Sequence, residues 1–382
     1  MKNELELYLH IPFCVRKCAY CDFLSSPENG ETIENYVEAL IREIKAYQAL
    51  SLNDIVVTIF LGGGTPSVLE GNQMERIFEA LHEVFEIAED AEITVEANPG
   101  TVTQEKLSAY RKLGINRISF GLQSADNGEL KLLGRIHTYE QFLESYEMAR
   151  TAGFTNINID LISAIPKQTV RSWEETLKRI IRLKPEHISA YSLIIEEGTS
   201  FAKLYGEGSP LERDLPSEEE ERLMYEKTEE ILGENGYHRY EISNYAKPGF
   251  ACRHNIGYWK RTDYLGFGPS AASLFGNRRW TNTADRSLYL KACGALEKIR
   301  EDEEILSRQD AMEEFMFLGL RMTQGISTAE FEEKFGKEIH AVYGGVLKKY
   351  EAMHLLQEHS GRLALTRDGI SVSNVILADF LL

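Results

Sequence analysis

The chain is short of cysteine, of long apolar runs and of positive charge. Its 382 residues include five cysteines. Three are bunched near the N-terminus, while Cys252 and Cys293 stand far away. An odd, uneven set of this kind is a poor disulfide framework and suits a reducing compartment where thiolates bind metal. No stretch approaches the roughly 18 consecutive apolar residues of a membrane span. The opening MKNELELYLH lacks the apolar core of a secretory signal and is too acidic for a transit peptide. A cytoplasmic protein with at most peripheral membrane contact is expected, as a monomer or a dimer. Lys and Arg number 42 against 60 Asp and Glu, a net charge of -18 at pH 7. That balance disfavours a bulk grip on phosphate backbones, so no nucleic-acid partner is expected. Internal repeats and low-complexity tracts are also missing.

What is present is a rhythm. Over the first two hundred residues, apolar runs alternate with amphipathic stretches. The runs 5–11, 55–61, 92–98, 116–122, 156–162 and 187–195 read as strands. Most are apolar on both faces, as expected when helices cover a parallel sheet on both sides. Helices are expected over 32–49, 72–87, 103–113, 138–152 and 170–183. Six strand-then-helix units predict an α/β fold, either doubly wound or a full or partial barrel. After residue 200 the rhythm breaks. PSEEEERLMYEKTEEILGENG predicts an exposed helix capped by Ser217 and Glu220 and stopped at Gly236. YHRYEISNYA reads as a strand, and 248–283 as a loop rich in Gly, Asn and aromatics. From about residue 305, three short helices (309–321, 327–335, 339–351) precede a hairpin turning at Ser360-Gly361 and a last helix. That order describes a winged-helix-like tail. From Arg308 to Leu382 it holds 8 Lys and Arg against 11 Asp and Glu, a balance that favours packing or partner docking over DNA reading.

The chemistry concentrates in HIPFCVRKCAYCDF, residues 10–23. Cys14, Cys18 and Cys21 follow the first strand, on the side where α/β sheets bind ligands. A closed structural metal site wants four protein ligands, yet Phe23 stands where another might be sought. Three thiolates can hold three corners of a 4Fe–4S cube and leave one iron open to a small molecule. The competing reading is a zinc site completed by His10. Further on, glycines in FLGGGTP (60–66) let the backbone approach a ligand closely. Glu96 in VEANPG can accept hydrogen bonds from ribose hydroxyls at a strand end.

The C-x3-C-x2-C spacing, with an aromatic before the third cysteine, resembles the radical S-adenosylmethionine (radical SAM) superfamily. The resemblance implies that the methionine amino and carboxylate groups chelate the open iron. It assigns Cys14, Cys18 and Cys21 to the cluster. Tyr8, Gly63, Gly64, Thr65, Glu96, Gln123, Arg135 and Asp160 are assigned to S-adenosylmethionine, with Tyr20 packing near the adenine. The expected fold is then an incomplete (βα)6 radical SAM barrel over 1–200. A sheet extension over 201–304 and a winged-helix-like domain over 305–382 complete it.

Within that superfamily, YLHIPFC, GGGTP, E.NP, SFGLQS and GR.H resemble the anaerobic coproporphyrinogen III oxidase family over nearly the whole chain. The oxidases carry another cysteine two positions after the third, where this chain has Phe23, and an extension ahead of the first strand, where Tyr8 stands almost at the start. CRHNIGYWKRTDYLGFGPSAAS (252–273) instead resembles the HemW-type heme-chaperone branch through His254, Asn255, Tyr258 and Trp259. An imidazole can ligate heme iron, and Tyr and Trp offer flat apolar area. Cys252 is a second possible axial ligand, and Arg278 and Arg279 can meet propionates. The resemblance implies a heme carrier that delivers to acceptor hemoproteins, respiratory cytochromes among them. The alternative implied by the oxidases is radical decarboxylation of a porphyrinogen. The 201–304 segment is expected to carry His254 to the mouth of the crevice.

Overall fold

The computed structural model describes residues 2–50 and 52–382. Six strands run parallel, each beside the next in chain order: β1 (Glu4–Ile11), β2 (Ile55–Gly63), β3 (Glu86–Ala97), β4 (Arg117–Gln123), β5 (Ile157–Ser163) and β6 (His187–Ser192). Helices join them, as parallel pairing requires. Alternation along β1 shows why the sheet holds: Leu5, Leu7, Leu9 and Ile11 are at most 1% exposed in the main core, each contributing about 1.5–3 kcal/mol by burial. The intervening Glu6, Tyr8 and His10 face the inner side, where the chemistry lies. Glu6, Thr58 and Glu92 form one inner row across β1, β2 and β3.

The barrel stays open. Beyond β6 stand β7 (His238–Arg239) and β8 (Asn244–Ala246), with β8 antiparallel to β6. On the other side β1 is flanked by β9 (Tyr264–Phe267), also parallel to it, then β10 (Ala272–Phe275), β11 (Arg278–Asn282) and β12 (Arg300–Ile305). The result is one twelve-stranded sheet. Its outermost strand β12 reads REDEEI and is almost wholly exposed, a charged edge that discourages further pairing.

The helix at Glu218–Glu234 begins as expected, with the Ser217 side chain and Glu220 forming a reciprocal cap. It is tied inward by Trp173, whose indole donates to Thr228 at 2.9 Å. Two expectations are corrected. YHRYEISNYA is not one strand: Glu241 accepts from the Ser243 amide and turns the chain between β7 and β8. The 248–283 stretch is not a loop either, but a helix at Arg253–Lys260 followed by β9, β10 and β11. Gly257 disguises that helix, because glycine weakens helical propensity. A Cβ there would sit 2.0 Å from Glu6 Oε1, so a larger residue would push the Glu6 carboxyl out of its place on β1.

The tail has its own core, running from Ala311 to Phe380. It comprises helices Arg308–Gly319, Thr328–Phe335 and Ile339–Ala352, then the hairpin and two short helices. β13 (Ile326–Ser327), β14 (Leu356–His359) and β15 (Arg362–Leu365) make a three-stranded sheet in the order β13-β15-β14. The turn lies at Ser360 and Gly361, both at positive φ.

Candidate functional site

The cysteine loop leaves the carboxyl end of β1 and is pinned on several sides. The Cys14 amide donates to Ser26 and that of Ala19 to Leu133, while the Phe201 amide donates back to Ala19. Arg16 reaches the Gly134 carbonyl at 2.7 Å. Tyr20 packs edge-on against Phe201, ring centroids 6.2 Å apart, and so anchors the loop. Cys18 and Cys21 line an open cavity of about 510 Å³.

His10 does not complete a zinc site. Its Nε2 faces the Leu24 carbonyl at 3.0 Å, which can only accept, so the proton sits on Nε2. Nδ1 then accepts from the Tyr8 hydroxyl at 3.1 Å. Among the described residues, no three His, Cys, Asp or Glu side chains are gathered closely enough around one point to hold a single ion.

Beside this loop runs the glycine turn after β2. The amides of Gly64 and Thr65 donate to the carbonyls of Ile11 and Phe13. A Cβ on Gly64 would meet Phe13 O at 2.4 Å, and one on Gly63, which has φ +102°, would strike the His10 ring. The turn is therefore seated directly on the cysteine loop. Thr65, buried, accepts from Asn98 at 2.6 Å.

Glu96, Gln123 and Asp160 converge on the same crevice from β3, β4 and β5, and Arg135 joins them from the turn after the Asn127–Leu132 helix, all four half-buried. Gln123 has φ +78°, a conformation rarely adopted by non-glycine residues and often found at functional sites. Arg135 ties the pieces together, with Nη1 3.4 Å from Cys18 Sγ and Nη2 2.5 Å from Asn98 Oδ1. Burial, followed by the neighbouring Asp160, pushes Glu96 up to about 8. Asp160 is raised too, mainly by burial, against hydrogen bonds from Asn158 and Ser119. Two poorly compensated carboxylates facing a crevice fit a cationic ligand. Three thiols on the adjoining loop fit an iron–sulfur cluster. The donor set therefore suits a sulfonium nucleotide beside a cluster.

The HNxxYW residues lie elsewhere than expected. The Arg253–Lys260 helix enters the inner side of the barrel, its amino end held by Glu92. That carboxylate accepts from the Arg253 amide at 2.9 Å, from the His254 amide at 3.3 Å and from Cys252 Sγ at 3.3 Å, a favourable place for negative charge. His254 is 2% exposed. Its ring is held between Thr58 and Tyr258, so it is inside the barrel and not at the crevice mouth. Burial, helped by Arg117, holds its pKa down to about 3. Burial also pushes the Cys252 thiol far up, despite Arg117. Trp259 packs toward the tail, with the Arg321 guanidinium 5.4 Å from its ring centre. Asn255 sits in the first turn.

Tyr258 alone of these four lines a cleft of about 640 Å³ that runs from the end of the cysteine loop to the tail. Tyr8, Phe23, Leu24, Tyr264 and Leu274 give it flat apolar walls, and Asp22 lines both it and the cavity against Cys18 and Cys21. Its cationic end is Arg261 and Arg279. Arg278 is corrected: it alternates to the other face of β11 and pairs with Glu303 at 2.5 Å. Arg261 takes its place. No sequence signal marks it, since it is merely the left-handed residue closing the helix.

The radical SAM superfamily model matches residues 8–180, and the HemN C-terminal domain matches 306–372. Heme chaperone HemW of Lactococcus lactis is 40% identical over 382 residues, covering 100% of this chain and 98% of that protein. The Bacillus subtilis heme chaperone HemW is 35% identical over 375 residues, covering 98% of each. Coproporphyrinogen III oxidase (HemN) from Escherichia coli superposes with a TM-score of 0.86 at 25% identity, covering 100% of this chain and 90% of that one. The superfamily implies a 4Fe–4S cluster and S-adenosylmethionine, which the crevice residues fit. With full-length identity of this order on the expected α/β partial barrel and helical tail, the chain belongs to the heme chaperone HemW family of the radical SAM superfamily.

Proposed function

We propose that this protein binds heme and hands it to acceptor hemoproteins, respiratory cytochromes among them, while carrying a 4Fe–4S cluster and S-adenosylmethionine. The observation that carries the reading is the cleft beside the cysteine loop, which combines aromatic and aliphatic walls with two guanidiniums at one end. A flat apolar molecule bearing carboxylates fits that lining. The names of the full-length relatives support the same reading.

Each part has a task in this reading. Cys14, Cys18 and Cys21 hold the cluster. Gly63, Gly64 and Thr65 present backbone to the methionine end of the cofactor, and Tyr8, Glu96, Gln123, Arg135 and Asp160 surround the rest. When bound, such a pair supplies an electron to a sulfonium. Tyr258 forms the wall of the heme cleft, His254 stands behind it as a ligand in reserve, and Asn255 and Trp259 fix the helix that carries both. Cys252, buried against Glu92, is held as a neutral thiol in this state. The reading places the protein in the cytoplasm; no helix among the described residues is long and apolar enough to cross a membrane.

The fold match to HemN favours porphyrinogen decarboxylation as a second reading. Against it, Phe23 stands where those oxidases are expected to carry a further cysteine, and its side chain is exposed at the cleft. One experiment separates the two. Protein reconstituted anaerobically is titrated with heme, offered an apo-hemoprotein, and assayed for 5′-deoxyadenosine and for porphyrinogen decarboxylation. Saturable heme binding followed by transfer is expected. Decarboxylation without heme binding would overturn the carrier reading.

A further inference from the structure

The tail sets one charge against the cationic end of the cleft, behind its wall. Glu314, on the Arg308–Gly319 helix, is 5% exposed. Its Oε2 accepts from Arg261 Nε at 2.6 Å and its Oε1 from Arg279 Nη2 at 2.5 Å. One turn later on the same helix, Leu318 lines the cleft itself. Arg261 has one further partner, Asn277 Oδ1 at 2.9 Å. Each oxygen of a single carboxylate thus engages one of the two guanidiniums that form the cationic end of the cleft. Two positive charges face one negative charge, and both arginines remain on the cleft wall.

We propose that Glu314 occupies the place of a ligand carboxylate, so that a flat dicarboxylate in the cleft displaces it from Arg261 and Arg279. This rests on the heme reading and deepens it, because the two propionates of a tetrapyrrole supply the required pair of carboxylates. Guanidinium binds either carboxylate in the same fork geometry. A buried carboxylate deprived of its partners is costly, so the helix that carries Glu314 loosens when the ligand enters. Linkage makes the coupling reciprocal: docking of the tail weakens the ligand by the factor by which the ligand weakens docking. The tail is then a latch that sets ligand release. A merely structural ion pair would show no dependence on the ligand's carboxylates.

The test uses the full chain and three probes: heme, metal-free protoporphyrin IX, and its dimethyl ester, which keeps the ring and loses the charge. Binding is followed by absorbance for the wild type, Glu314→Gln and Arg279→Gln. Hydrogen exchange of the Arg308–Gly319 helix is followed in the wild type alone, so that the result does not depend on a variant folding. The diacid is expected to bind about tenfold more weakly to Arg279→Gln and several-fold more tightly to Glu314→Gln. The ester should bind all three proteins alike. Exchange in the helix should rise on adding diacid and stay unchanged with ester. Porphyrin binding that ignores the carboxylates and both substitutions, or exchange that responds equally to acid and ester, overturns the latch and leaves heme binding standing. No binding of any probe by the wild type overturns both.

Discussion

His254 Nδ1 lies 2.6 Å from the Thr58 hydroxyl, inside the barrel. Its Nε2 is 3.1 Å from the hydroxyl of Tyr258, and its ring stacks on Phe60 with centroids 5.1 Å apart. Tyr258 therefore stands between the imidazole and the cleft. If His254 ligates heme, Tyr258 must swing aside first. Tyr258→Phe keeps the ring and removes the hydroxyl partner, and faster heme association is expected by stopped-flow absorbance. His254→Ala should weaken heme binding. It also opens a cavity and takes one partner from the Thr58 and Tyr258 hydroxyls, at a cost of about 2–4 kcal/mol, so a thermal melt must accompany the titration. Unchanged affinity in a folded His254→Ala protein would remove His254 from the site.

Stability should depend on pH from both sides of neutrality. Burial, opposed by a hydrogen bond with Thr58, pushes Glu6 up from an ordinary 4.5 to about 9. A raised carboxyl keeps its full contribution below 4.5 and loses it as pH rises through about 9. His254 is depressed from 6.5 to about 3, so its contribution is present above 6.5 and is lost as pH falls toward 3. Glu6→Gln keeps the shape against Gly257 and cannot ionise. It should flatten the alkaline limb of the melting curve, by an amount on the order of a few kcal/mol in mildly alkaline buffer. Parallel curves for the two proteins would refute the assignment.

The glycine turn should tolerate no side chain where it touches the cysteine loop. In Gly64→Ala the new methyl meets the backbone oxygens of Phe13 and Ile11 at 2.4 and 2.8 Å, and neither atom belongs to a flexible side chain. A loss of about 2 kcal/mol or more is expected. Iron and sulfide retained after anaerobic reconstitution should fall with it. Gly30→Ala is the control: it begins a helix with open space around it, and it should be neutral or slightly stabilising.

Arg135 should matter to the cofactor more than to the fold. It bridges Cys18, Asn98 and the Gly121 carbonyl, three elements that meet only at the crevice. Arg135→Gln is expected to lower S-adenosylmethionine affinity about tenfold, as measured by equilibrium dialysis on reconstituted protein. The cofactor-induced change in the cluster's electron paramagnetic resonance spectrum should shrink in parallel. Normal affinity together with a normal spectrum would show that Arg135 serves the loop alone.

Much of this was legible in the residues. Six apolar-rich runs, each followed by a helical stretch, announced the parallel strands, but the expectation that they are apolar on both faces is corrected: only the outer face is, and the inner row holds Glu6, Thr58 and Glu92. The Ser217–Glu220 cap and the hairpin turn at Ser360-Gly361 were local and appeared where expected. The cysteine spacing and the glycine turn were visible because backbone and ligand geometry leave few residue types free at those positions.

The rest depended on partners distant in sequence. Gly257 reads as a helix breaker until Glu6 is placed against it. Arg261 carries no mark and Arg279 reads as a propionate partner beside Arg278, until Glu314, 53 and 35 positions away, joins the two. His254 reads as a ligand at a mouth until the Arg253–Lys260 helix is seen to enter the barrel. Sequence alone therefore determined the six parallel strands of the first two hundred residues, the caps, the cluster loop and the family pattern, since these follow from periodicity and short-range geometry. The tertiary structure decided which side chains share the cleft and which charge each one meets, because contact across a barrel leaves no periodic trace along the chain.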